Sequence, residues 1–174
     1  MTIECSLDEK DLDRAIRLVE LYKKDLDGKT SVFVDHVAKT IEDNARNELS
    51  SHIWSGETIS SLHTEKMASK GHSRNAKVSC GGAAVWLEFG TGVVANNCGT
   101  GEYVHPKAAE LGMYGIGEYG QGHGSDPNGW YFEDEFGDSY HTFGIPATMF
   151  MYHSAWAGRR SLSRLAREVF NTRD

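Results

Sequence analysis

The side chains best suited to chemistry are three cysteines, Cys5, Cys80 and Cys98, and eight histidines. A zinc site takes such residues in short pairs, two ligands only a few positions apart. No CxxC, HxH or HExxH occurs in the chain. Cys98 and His105 form the nearest Cys–His pair, with His123 and His141 farther along a glycine-rich stretch. Four ligands can be assembled from this set, but no spacing requires it, and solvated loop histidines are the simpler reading. A nucleophile needs a base that activates it. Cys98 with His123 or His141, and an acid from the run Glu133 to Asp138, supplies such a set on paper, yet GxSxG is absent. A small cysteine/histidine hydrolase or zinc-binding domain is therefore the alternative reading. The acids Glu133, Asp134 and Glu135 are consecutive, so they point in different directions. A paired-carboxylate mechanism needs two carboxyls at a fixed separation; a solvated turn explains the run better. Gly115-x-Gly117-x-x-Gly120 lacks the flanking strand and helix that seat a phosphate.

One charge pattern has direction. Arg160, Arg164 and Arg167 recur at i, i+4 and i+7, on one side of a helix. Net charge is −7, but it is unevenly spread. Residues 101–150 carry one base and eight acids, whereas residues 151–174 carry five bases and two acids. Three arginines on an acidic chain give little affinity for nucleic acid at physiological salt. They suit an acidic protein surface better, including residues 101–150 of a neighbouring copy. The aromatics Trp86, Phe89, Trp130, Tyr131, Phe150, Tyr152 and Trp156 are numerous for a small chain; those left on the surface are candidate interface anchors.

These residues need elements to position them. With 174 residues, 39% apolar and 25% charged, the chain reads as one globular domain over 1–174. The odd cysteine count speaks against a secreted disulfide framework, and no targeting or membrane-spanning segment is read. Ser6 and Glu9 fit a capping box, followed by an apolar stripe of Leu12, Ile16, Val19, Tyr22 and Leu26, predicting a helix over 6–26. A second helix is predicted over 31–50 from Val34, Val37, Ile41, Ala45 and Leu49; the two become one kinked helix if Gly28 is tolerated. Thr58 to Met67 reads as a strand, Gly71 to Asn75 as a turn, and Lys77 to Cys80 as a second strand of the same hairpin. A glycine-rich, acidic insert follows at about 93–143. Within it Trp130 to Phe132 and Ser139 to Phe143 read as two strands closed by an acidic turn. The last helix runs over 149–171, with Leu162, Leu165, Ala166, Val169 and Phe170 as its core face. The class is α+β: two N-terminal helices or one kinked helix, a small mostly antiparallel sheet, and an amphipathic C-terminal helix.

Two segments carry a resemblance. Ala84-Val85-Trp86-Leu87-Glu88-Phe89-Gly90-Thr91-Gly92 is one, and Thr142-Phe143-Gly144-Ile145-Pro146-Ala147-Thr148-Met149-Phe150-Met151 the other. Taken in order with Ser55-Gly56 and Ile59-Ser60-Ser61-Leu62, the chain resembles the tailed-bacteriophage head–tail joining and tail-completion proteins of the neck, a family of minor capsid or minor tail proteins. The resemblance implies a non-enzymatic structural role without cofactor or metal. It implies a homo-oligomeric ring, six subunits by the family pattern, located in the virion after assembly in the host cytoplasm. The partners it implies are further copies, neighbouring neck or tail proteins, and genomic DNA passing through the ring without sequence recognition. In the family the aromatic "EFGTG" segment follows a strand. The extended insert departs from the family's modest loop. Glycines beside Phe89 let the backbone turn sharply, so this turn and the Pro146–Phe150 segment are expected to pack together near a subunit contact. Trp86, Phe89, Thr91, Pro146, Phe150, Arg160, Arg164 and Arg167 are the candidate interface residues.

Overall fold

The structure of the protein, a computed structural model, describes residues 8–51, 56–91, 105–108, 110–111, 128–134 and 136–171. Among the described residues eight elements follow in chain order: α1 (Glu9–Ser50), α2 (Gly56–Ser61), β1 (His63–Lys70), β2 (Ser73–Ser79), α3 (Ala84–Phe89), β3 (Trp130–Glu133), β4 (Ser139–Thr142) and α4 (Phe150–Phe170). The α+β reading holds in outline: a long N-terminal helix, small antiparallel hairpins and a C-terminal helix.

The two predicted N-terminal helices are one helix of 42 residues. Gly28 is solvent-facing, and nothing lies within 4 Å of where a Cβ would sit. Its cost of about 1 kcal/mol is partly offset by the i,i+4 pair of Asp25 with Lys29 at 3.1 Å. Ser6 lies outside the described residues, and Glu9 is the first helical residue after Asp8 rather than the far half of a capping box.

The predicted strand from Thr58 is corrected to a short helix, α2, followed by β1. Ser60 and Ser61 donate to the carbonyls of Glu57 and Thr58 at 2.7 and 2.8 Å, local bonds that compete with a strand ladder. The strand then pairs antiparallel with β2, His63 opposite Ser79 and Met67 opposite Asn75, with a register shift before Lys70–Ser73. The expected turn shrinks to Gly71 and His72, with Gly71 at φ 61°. The second hairpin pairs Trp130 with Thr142 and Glu133 with Ser139. It forms a separate two-stranded sheet rather than part of one small sheet. Glu88 and Phe89, which begin the segment the family pattern places after a strand, are instead the last residues of helix α3, which itself comes after β2. Most of the predicted insert lies outside the described residues.

α4 runs antiparallel along α1: Phe150 shares the core with Leu49, Gly158 meets Ile41, and Phe170 stacks on Phe33 with ring centroids 5.8 Å apart. The core joins Ala45, Leu49, Leu62, Ala84, Leu87 and Phe150. Part of the expected core face of the last helix is corrected. Leu165 and Val169 are buried, but Leu162 and Phe170 are exposed, and Ser154 and Gly158 take their place. The reason is close approach. A Cβ on Gly158 would lie 2.5 Å from Ile41 Cγ1.

A buried carboxylate ties α1 to the first hairpin. Glu42 accepts from the Thr64 hydroxyl at 2.7 Å, from Arg46 at 3.1 Å and from Lys39 at 3.3 Å. Arg46 also donates to the carbonyls of Ile59 and Leu62, at 3.0 and 3.1 Å, closing the end of α2. The Thr64 bond, helped by Arg46 and Lys39, holds the Glu42 carboxyl below its ordinary value of 4.5 against the opposing effect of burial.

Gly28→Ala is expected to stabilise the fold by about 0.5–1 kcal/mol, since only helix propensity changes. Gly158→Ala is expected to destabilise it by roughly 1 kcal/mol, because Ile41, branched at Cβ, has one preferred rotamer in a helix and cannot swing clear; urea unfolding reads both, and equal signs refute the packing argument. A depressed Glu42 carboxyl contributes stability that is present above the unfolded value of 4.5 and lost as pH falls through the folded value. Thermal unfolding between pH 3 and 6, roughly one to two units around that value, is therefore expected to show a shallower acid decline in Glu42→Gln.

Candidate interaction surface

The two motif segments meet. Thr91 and Ile145 exchange backbone bonds, Thr91 N–H to Ile145 O at 2.9 Å and Ile145 N–H to Thr91 O at 3.1 Å. The Thr148 amide and hydroxyl both donate to the Leu87 carbonyl at 2.8 Å, and the Met149 amide donates to the Glu88 carbonyl at 3.2 Å. These bonds hold Met149 in the left-handed region at φ 55°, a conformation that is unfavourable for a residue with a side chain.

Glu88 closes the junction. Its carboxylate accepts from the Met151 amide at 2.8 Å and the Tyr152 amide at 3.0 Å. These are N–H groups of the first turn of α4, which have no partner within the helix. A carboxylate at this end also meets the positive pole of the helix dipole. His105 Nε2 donates to the same carboxylate at 3.0 Å, while His105 Nδ1 accepts from the Lys107 amide at 3.0 Å. Since Nδ1 accepts, the ring proton sits on Nε2. Glu88 and His105 are 8% and 5% exposed, so the carboxylate is buried with three donors on its two oxygens. Phe89 and Tyr152 lie against the His105 ring, at 4.5 and 5.2 Å between centroids. His105, read from the sequence as a solvated loop residue, is thus a buried member of the junction. Seventeen positions separate it from Glu88, and no spacing rule links them.

The candidate interface residues divide by burial. Phe150 is fully buried, so its side chain serves the core rather than a surface contact. Phe89 and Thr91 are half-buried in the junction. Trp86 is 41% exposed beside Val85, and Pro146 is exposed. Arg160, Arg164 and Arg167 all lie on the exposed surface of α4. Arg164 donates to Glu168 at 2.7 Å, and Arg159 stands over the exposed Trp156 ring at 5.2 Å.

Two apolar surfaces escaped the sequence reading. The stripe Leu12, Ile16, Val19, Tyr22 and Leu26, whose periodicity marks a buried face, is exposed along its whole length. The β3–β4 hairpin exposes Tyr131, Phe136, Tyr140 and Phe143 next to Glu133 and Asp138. Its turn is fixed by Asp134, whose carboxylate accepts from the amides of Phe136 and Asp138, both at 2.9 Å, an Asx-type turn. Only hydrophobic periodicity could have flagged the first surface, and periodicity does not say whether a partner is present.

Among the described residues, the chemistry-bearing side chains are not brought together. Cys5, Cys98 and His123 lie outside the described residues. The Cys80 thiol donates to the Thr58 carbonyl at 3.2 Å, and burial pushes its pKa up, away from the thiolate that nucleophilic attack requires. His141 faces the Asn128 carbonyl at 2.7 Å and stacks between Tyr131 and Phe143. Among the described residues no group of three or more His, Cys, Asp or Glu is placed to hold a metal, and no helix is long and apolar enough to cross a membrane. No protein-family model matches the chain, and no curated protein or solved structure does.

Glu88→Ala is expected to destabilise the protein by about 2–4 kcal/mol, because it leaves two first-turn amides and the His105 N–H unpaired in the interior. Glu88→Gln keeps one acceptor oxygen and is expected to lose less. Thermal melts order the three proteins; a Glu88→Ala melt at the wild-type temperature removes the junction's importance.

Proposed function

We propose that the protein is a non-enzymatic structural component of a tailed phage or prophage, working in the head–tail connection as a homo-oligomeric ring. The observation that carries this reading is the amount and placement of exposed apolar surface. Soluble monomers rarely expose extended apolar patches without an interaction purpose. Here they occur on three separate elements: the N-terminal half of α1, the β3–β4 hairpin, and α4 around Trp156. Opposite charge accompanies them, acidic at the hairpin and basic on α4. A surface with unlike contact faces suits head-to-tail association, which closes into a ring when the rotation allows.

The bonded junction between Thr91 and Ile145 also supports the resemblance drawn from those two segments. Trp86 and Pro146, one in each segment, are both exposed. In this reading the partners are further copies, adjoining neck or tail proteins, and DNA that passes without being read. The location is the virion, reached from the host cytoplasm.

Native mass spectrometry across a concentration series, with metal retained, is the first test. A metal-free ring, six subunits by the resemblance, is the expected result. A monomer carrying stoichiometric zinc overturns the proposal in favour of the cysteine/histidine alternative. For a metal-free monomer the question passes to purified virions, where absence of the chain overturns the proposal.

A further inference from the structure

We infer that the N-terminal half of α1 docks on the outer face of α4 in a second copy of the chain, apolar stripe against Trp156 and acidic edge against the arginines. The inference rests on the self-assembly reading above and names the contact that would carry it.

The first argument is an interrupted face. Along α1, Ile41 and Phe33 face the chain's own α4, with Val37 between them at helical spacing, and α4 ends where Phe170 meets Phe33. On the other side the β1–β2 turn reaches α1 at Asp27, through His72 at 3.5 Å and Arg74 at 3.6 Å. The apolar line continues past both limits. Leu26, Val19, Ile16 and Leu12 follow at helical spacing and are 42%, 53%, 56% and 41% exposed. At 1.5 Å per residue, residues 9–26 extend roughly 27 Å. A face that needs cover in one half of a helix and lacks it in the other calls for an external occupant of the same kind as α4.

The second argument is charge. Glu9, Asp13 and Glu20 fall on one edge of this stripe at 100° per residue, with Asp27 continuing the line. Lys10, Arg14, Arg17 and Lys24 lie farther round the back, and Lys23 is the one base within the stripe, where its aliphatic stem can lie along apolar surface. Pairing two α1 stripes antiparallel would bring acidic edge against acidic edge. Pairing them parallel would set it against an edge holding Asp11, Asp25 and Lys29. Neither offers a basic match. The outer face of α4 does: it carries Arg159, Arg160, Arg164 and Arg167 against a single acid, Glu168. It also exposes Trp156 at 45% and Phe170 at 37%, and Trp and Arg are the residues that most often anchor interfaces.

The third argument is length. At 21 residues α4 is roughly 31 Å long, close to the roughly 27 Å of free α1. The acidic β3–β4 hairpin is the competing occupant, but strands of four residues span only about 13 Å. Each copy would then give α1 and receive on α4, a contact between unlike faces.

Charge reversal on the full chain tests the contact. One variant carries Arg160→Glu and Arg167→Glu; a second carries Asp13→Arg and Glu20→Arg. All four positions are exposed, and circular dichroism checks that the fold survives. Each variant alone is expected to assemble at least tenfold more weakly than wild type by light scattering. An equimolar mixture is expected to regain wild-type assembly, because reversed α4 then meets reversed α1 and each native face still meets a native one. Failure of the mixture to recover, while wild type assembles, overturns this contact and leaves the ring intact. Recovery with a hairpin variant, Glu133→Arg and Asp138→Arg, both exposed positions, in place of the α1 variant assigns α4 to the hairpin and likewise overturns it. A wild type that stays monomeric at every concentration overturns the contact, while the virion test still decides the phage reading.

Discussion

The carboxylate of Glu88 is the point through which the second half of the molecule is attached. α4 begins with amides that its own backbone cannot satisfy, and they open into the interior rather than to water. A side chain from α3 satisfies two of them. Burying an unpaired carboxylate would cost several kcal/mol. Here the two amides, His105 and the helix dipole stabilise the charge together. The arrangement fixes where α4 starts, at what angle it leaves α3, and where residues 105–108 sit. It also over-determines the backbone at Met149, which explains how a left-handed methionine persists.

Everything downstream of that point depends on α4 lying close to α1. Gly158 permits it, since any larger residue meets Ile41. Ser154, fully buried, returns its hydroxyl to the Phe150 carbonyl at 2.5 Å, so it occupies a small site without leaving a free donor. The small residues make a close seam with Phe150 at one end and Val169 at the other. The first hairpin is held on another side of α1 by a second buried carboxylate, Glu42, with Thr64 and Arg46. Two acids, each accepting from three donors, thus fasten two separate units to one long helix. Their polar geometry orients those units, and the apolar cluster around Leu49 and Phe150 supplies the burial.

The same long helix leaves the body with half its apolar line uncovered. Within one chain, α4 is too short to cover it, and the β1–β2 hairpin stops at Asp27. The outer face of α4 is basic and aromatic, and the edge of the uncovered line is acidic. These are complementary surfaces on one molecule that cannot reach each other within it, which is the physical condition for assembly between copies.

Local sequence patterns determined much of the fold. Hydrophobic periodicity located the helices α1 and α4, turn residues between short strand-like runs located both hairpins in outline, and charge spacing singled out the arginines of α4 as a surface row. Those features are local: a helix or a two-residue alternation is written in neighbouring residues. The tertiary structure decided three other things. It chose one continuous helix where the sequence left two helices or one kinked helix open, because a single exposed glycine costs a helix little. It exposed the stripe from Leu12 to Leu26, because periodicity reports a need for cover and not the presence of a partner. It also joined Glu88 to His105 and to the start of α4 across 17 and 63 positions. Such pairings arise from how elements stack, and a buried acid looks the same in the sequence as a solvated one until its donors are in place.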